Sequence, residues 1–205
     1  MARMSELPCA LCFLVLISPT VIQGLTITPA EKEMTIASGS TIELLCEDDQ
    51  PVEWSYETLE EETPPANIIK TSDGNRAMLT IVDAYYMNVK LYRCSSITTK
   101  EEESIYIFVR DVAHLLVSEE DQNIFSFYTS EDVIVPCKPS FPEVKVELQK
   151  VDDSEVLDAE GYNNRFGFRL KMPQHAVEER FKCVGHYQNT TQSFSLDYSF
   201  HFGLQ

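Results

Sequence analysis

Six cysteines carry the most legible chemistry in this chain: Cys9, Cys12, Cys46, Cys94, Cys137 and Cys183. The first two have C-x-x-C spacing, which elsewhere marks metal or redox sites. Here they sit in an unbroken apolar run from Cys9 to Ile17, after Arg3 and ahead of Ser18, Thr20 and Gly24. A basic start, a core too short to span a bilayer and a small-residue exit form a secretory leader. Residues 1–24 are read as a signal peptide cut after Thr20 or Gly24, and Cys9 and Cys12 leave with it. The other four cysteines fall into pairs 48 and 46 residues apart. Near-equal spans in tandem read as a repeated unit with one bridge in each copy. Four cysteines allow three pairings, and Cys46–Cys94 with Cys137–Cys183 is the one that respects the repeat. Export makes such bridges chemically reasonable. In the chain-entropy model, closing a loop of this size stabilises by roughly 4 kcal/mol.

Other chemistries find no support in the sequence. His114, His175, His186 and His201 show no metal-ligand spacing, and no free cysteine remains to join them. The runs Glu60–Glu62, Glu101–Glu103 and Asp152–Asp153 lack the Asp-x-Asp-x-Asp-Gly pattern of a calcium loop and read as solvated loops. There is no Gly-x-Ser-x-Gly, P-loop or kinase motif set, so neither an enzyme nor a cofactor is expected. Asn189-Thr190-Thr191 is the one Asn-x-Ser/Thr sequon. It lies between Cys183 and the last strand, which predicts an exposed hairpin turn carrying an N-linked glycan.

The chain has 205 residues, 33 acids against 16 bases, and a net charge of −17. Phosphate binding needs clustered Lys and Arg, so nucleic acid and anionic membrane surfaces are poor partners. Residues 25–110 carry net −9 and residues 111–205 net −8, so neither half is an acidic tail. No stretch after the leader approaches the ~18 apolar residues of a membrane span. The product is expected to be exported and released.

The elements that must position these cysteines are short strands. Thr41–Cys46, Val52–Tyr56, Met78–Val82, Leu91–Cys94 and Ile105–Val109 read as strands in the first unit, with turn formers at Ser38-Gly39-Ser40, Pro64-Pro65 and Ser72–Asn75. Asp132–Cys137, Val144–Leu148, Gly167–Leu170 and Arg180–Cys183 repeat the order in the second. In the final strand Phe194, Leu196, Tyr198, Phe200 and Phe202 alternate with Ser193, Ser195, Asp197, Ser199 and His201, the period of a half-buried strand. About seven short strands per unit, an early-to-late bridge and a Trp between the cysteines predict an all-β chain. Its expected form is two tandem immunoglobulin-like (C2/I-type) β-sandwiches, over 25–110 and 111–205. In such a fold Trp54 packs on Cys46–Cys94, and Tyr92, two residues before Cys94, takes the tyrosine-corner position. The second unit has no Trp, and Phe181 stands where the corner tyrosine would be. The connector Val109-Arg110-Asp111-Val112 has no Gly/Ser or Pro run, which predicts a stiff, elongated pair.

These residues resemble the first two immunoglobulin domains of the class III receptor tyrosine kinases, the receptors for platelet-derived growth factor, stem-cell factor and colony-stimulating factor. The resemblance is carried by Cys46–Trp54 with its short spacing and Val-x-Trp ending, and by the junction Ile105–Asp111. It is carried also by the Trp-less strand Val144–Leu148 and by the pair Gly167-Phe168. It spans about residues 25–205. The chain departs from the pattern at Val112, where the family usually has Pro, and holds no third domain, membrane span or kinase. The resemblance implies a growth-factor-binding module whose ligand, a protein growth factor or cytokine, is dimeric. It places the binding face on the second domain, where Phe125, Phe127 and Tyr128 lie beside Glu119, Glu120 and Asp121. Acidity there steers a basic ligand more than it adds affinity. The alternative is an adhesion module binding another immunoglobulin-type protein through edge strands; the like charge of the two halves opposes self-association.

Overall fold

The structure is a computed structural model that describes residues 24–57, 66–118, 124–127, 132–151, 156–157, 161–171 and 177–200. The stretch expected to be a leader, residues 1–24, lies outside these residues apart from Gly24.

The first sandwich contains β1 (Thr26–Thr28), β2 (Glu33–Ala37), β3 (Ile42–Glu47), β4 (Val52–Tyr56), β5 (Ile68–Ser72), β6 (Arg76–Ile81), β7 (Lys90–Ser96) and β8 (Glu102–Arg110). One sheet runs β1-β3-β6-β5 and the other β2-β8-β7-β4. Alternation decides which side chains meet between them. On β3 Leu44 and Cys46 are fully buried while Glu43 is exposed, and on β4 Val52 and Trp54 are buried while Glu53 and Ser55 are exposed. Leu44, Leu79, Ile81, Ile105 and Ile107 fill the core around the bridge.

The second sandwich contains β9 (Leu116–Val117), β10 (Ile124–Phe127), β11 (Val133–Val135), β12 (Lys138–Pro139), β13 (Lys145–Lys150), β14 (Tyr162–Asn163), β15 (Gly167–Leu170), β16 (Val177–Tyr187) and β17 (Thr190–Phe200). Its sheets are β10-β17-β16-β13 and β11-β15-β14, with β9 paired to β12. Leu148, Phe168, Phe181, Leu196 and Tyr198 form its core. Both units are immunoglobulin-like β-sandwiches.

One glycine sets the geometry of the second core. Gly167 opens β15 at φ +103°, and a Cβ there would lie 2.7 Å from the Cys137 nitrogen and press on the Val135 carbonyl. Only glycine tolerates both the backbone angle and the approach of β11.

The connector, whose composition predicts a stiff, elongated pair, is held by hydrogen bonds at the end of β8. Asp111 terminates β8: its buried carboxylate accepts bonds from the backbone nitrogens of Ala113 (3.0 Å) and His114 (3.1 Å). The Val109 nitrogen donates to the Ser140 carbonyl at 2.8 Å, fastening the end of β8 to the second sandwich. The turn after β14 reaches back to Tyr106, four residues before that end, where the Arg165 carbonyl accepts the tyrosine hydroxyl at 3.4 Å. β8 carries apolar side chains on both faces, and Val117 and Arg165 of the second sandwich lie against the outer set.

Candidate functional site

The two bridges are Cys46–Cys94, with Cα atoms 6.2 Å apart, and Cys137–Cys183, at 5.5 Å. Around the first, Trp54 is 4% exposed and its Nε1 donates to the Ala77 carbonyl at 2.9 Å, tying β4 to the opposite sheet. Tyr92 is fully buried and donates its hydroxyl to the Asn88 carbonyl at 3.0 Å, the bond a tyrosine corner requires. Burial holds that phenol far above its ordinary pKa, so it stays a donor at all accessible pH. The Asn88 side chain accepts from the Tyr85 nitrogen (3.0 Å) and from Asn67 (2.9 Å), which rigidifies the corner.

The second sandwich solves the same problem differently. Phe181 is 1% exposed and has no hydroxyl to give; it meets Tyr198 edge-on, ring centroids 5.4 Å apart. Tyr198 supplies the donor instead, reaching the Ile134 carbonyl of the opposite sheet at 3.2 Å. Sequence reasoning placed Tyr198 on the inward face of the last strand but missed this cross-sheet bond. The missing corner tyrosine was its only signal.

Of the residues expected to touch a ligand, Glu119, Glu120, Asp121 and Tyr128 lie outside the described residues. Phe125 and Phe127 stand on β10, in parallel register with Tyr198 and Phe200, and their side-chain surroundings also lie outside what is described. Asn189 occupies the turn between β16 and β17 and is exposed. Among the described residues no three potential metal ligands gather, and no helix is long and apolar enough to cross a membrane.

The remaining candidates for contact are the outer faces of the sheets. On the β2-β8-β7-β4 sheet, inward positions follow from the pairing of Tyr92 with Ile105, so Leu91, Tyr106 and Phe108 point outward. Yet Tyr106 is 3% exposed and Phe108 fully buried. Val117 of β9 joins their apolar cluster, and the Arg165 guanidinium lies over the Tyr106 ring, 5.4 Å from its centroid. The second sandwich therefore covers this face. The signal was in the sequence: Ile105–Val109 is apolar at five successive positions, which half-buried strands are not. The equivalent face of the second sandwich is open along β17, where Thr191, Ser193 and Ser195 are exposed and Asp197 pairs with Arg180; Val184 is the buried exception.

No family model matches the chain. It is 28% identical over 165 residues to platelet-derived growth factor receptor beta of Homo sapiens, covering 77% of this chain and 15% of the receptor. Mast/stem cell growth factor receptor kita of Danio rerio is 26% identical over 167 residues, covering 78% and 16%. Vascular endothelial growth factor receptor 1 of Gallus gallus is 24% identical over 155 residues, covering 68% and 12%. Among solved structures, the tandem Ig repeats of Dlar align with 88% of this chain and 99% of that one, at 11% identity and a TM-score of 0.35, a superposition too loose to argue from. The chain is similar to receptor tyrosine kinases of the class III and related types, spans about one sixth or less of their length, and meets them in immunoglobulin-like sandwiches rather than in a kinase fold.

Proposed function

We propose that this chain is an extracellular receptor-like module that binds a dimeric protein growth factor or cytokine and has no catalytic role. The observation that carries the reading is its similarity to receptors for three kinds of growth factor over some 70–80% of its length. We take residues 1–24 as the leader, 25–110 and 111–205 as the two domains, and Asn189 as N-glycosylated. The exposed turn at Asn189 and the bridges, which suit an oxidising compartment, support that partition. The proposed contact surface is the stretch Glu119, Glu120, Asp121, Phe125, Phe127 and Tyr128. Its acids speed encounter with a basic ligand, and its aromatics supply the area.

The chain, secreted from cultured animal cells and immobilised, is titrated with purified dimeric growth factors of the platelet-derived and stem-cell types. Saturable binding at micromolar concentration or below, weakening when Glu119, Glu120 and Asp121 are changed to Lys, supports the proposal. Absence of binding at tens of micromolar, together with self-association in sedimentation, supports the adhesion reading instead. Peptide mapping of the same material reports the leader cut and the glycan.

A further inference from the structure

We infer that the turn bearing Arg165 is a latch that locks the two sandwiches at one angle, so that they tumble and melt as a single body. This goes beyond the growth-factor reading and holds whether or not a ligand binds.

The sandwiches are attached through three different elements of the first. At β2, both Nε and Nη2 of Arg165 donate to Glu33 Oε2, the Nε bond being 3.2 Å. Beside it the guanidinium covers the Tyr106 ring while the Arg165 carbonyl accepts the Tyr106 hydroxyl. A planar, forked cation suits a site that is at once stacked and ion-paired, which lysine would not. At the 3₁₀ turn Tyr86–Asn88, the Tyr86 ring stacks on His114, centroids 4.3 Å apart and 17° from parallel. At the end of β8, Arg110 pairs with Glu143 and lies 4.8 Å from the Phe141 ring centroid. One attachment leaves a swivel and two leave a hinge; three on separate elements leave neither.

Packing gives the latch its purpose. Tyr106 and Phe108 lie edge-tilted at 4.7 Å on the outer face of their own sheet and are buried by the other sandwich. If the pair opened, Leu91, Tyr106 and Phe108 would form a contiguous wet apolar patch of a kind that folded monomers rarely leave exposed. The connector between the attachments is itself pinned: Ser140, fully buried, donates its hydroxyl to the His114 carbonyl at 2.6 Å.

The test uses the full secreted chain. Small-angle scattering and thermal unfolding of the parent should give one compact envelope and one transition. Arg165→Glu sets an acid against Glu33 and should lengthen the maximum dimension and split or broaden the transition. The swap Glu33→Arg with Arg165→Glu should restore both. Tyr106→Phe removes only the hydroxyl bond and should speed amide exchange at Val109 several-fold. If Arg165→Glu is not secreted, Tyr106→Phe carries the test alone. Two separate transitions in the parent, an unchanged envelope in Arg165→Glu, or unchanged exchange at Val109 in Tyr106→Phe each overturns the latch.

Discussion

The outer face of β8 and the outer face of β17 occupy equivalent places in the two sandwiches and have opposite fates. Both strands carry an inward apolar row that meets a disulfide-pinned core. Outward, β8 presents Tyr106 and Phe108, which are buried, and β17 presents Ser193 and Ser195, which are exposed. The inward rows make two sandwiches; the outward rows decide how the sandwiches meet. A sheet that reads apolar at every position has a second partner, and one that strictly alternates faces water.

The comparison is broken most severely by removing the bridges. Replacing both cysteines of either pair with Ala should lower stability by roughly 4 kcal/mol, and by nearly the same amount for the two loops, since loop entropy varies slowly with length. Denaturant melts of the two double variants check this, and a twofold difference between them would mean the halves are not equivalent in their unfolded states. Next comes the contrast between the faces. Phe108→Ala should destabilise by about 3 kcal/mol or more, as a core aromatic does, while Ser195→Ala should stay within about 0.5 kcal/mol. Equal small effects would mean that the cover over β8 is not formed in solution. Gly167→Ala should weaken the second sandwich by about 2–3 kcal/mol through its backbone angle and the crowded Val135 carbonyl. Tyr92→Phe and Tyr198→Phe should each lose about 1 kcal/mol, which would show that the cross-sheet bond replaces the corner bond in kind.

The smallest expected effect is electrostatic. The hydrogen bond from Arg110 holds the Glu143 carboxyl below its ordinary value of 4.5. A depressed acid contributes stability that is fully present above its unfolded pKa and is lost as pH falls through the folded one. The half-exposed pair should therefore contribute under about 1 kcal/mol near neutrality and nothing in strong acid. Glu143→Gln should flatten that acid limb of the stability curve without moving the neutral plateau much.

Much of this was legible before any coordinates. Near-equal cysteine spans gave the bridges, alternation in Val52–Tyr56 and Phe194–Tyr198 gave inward faces, and the turn formers at Ser38–Ser40 and Ser72–Asn75 gave strand ends. What escaped was docking. A strand's period reports how many of its faces are buried but not by what, so the apolar run Ile105–Val109 marked an interface without naming Arg165, nearly sixty residues away. Long-range polar matches such as Glu33 with Arg165 or Tyr198 with the Ile134 carbonyl leave no local trace, because each half is an ordinary surface or strand residue until the chain brings them together. The candidate ligand stretch was named from resemblance alone, and four of its six residues fall outside the described part of the chain.

The short strand β9 has a further consequence. Leu116 belongs to one hydrophobic cluster and its neighbour Val117 to the other. Two adjacent codons thus serve two separate interiors, and inserting or deleting a single residue upstream would exchange their destinations. These modules cannot be shuffled like beads on a string: a recombination breakpoint at this seam would have to carry both interiors' requirements with it.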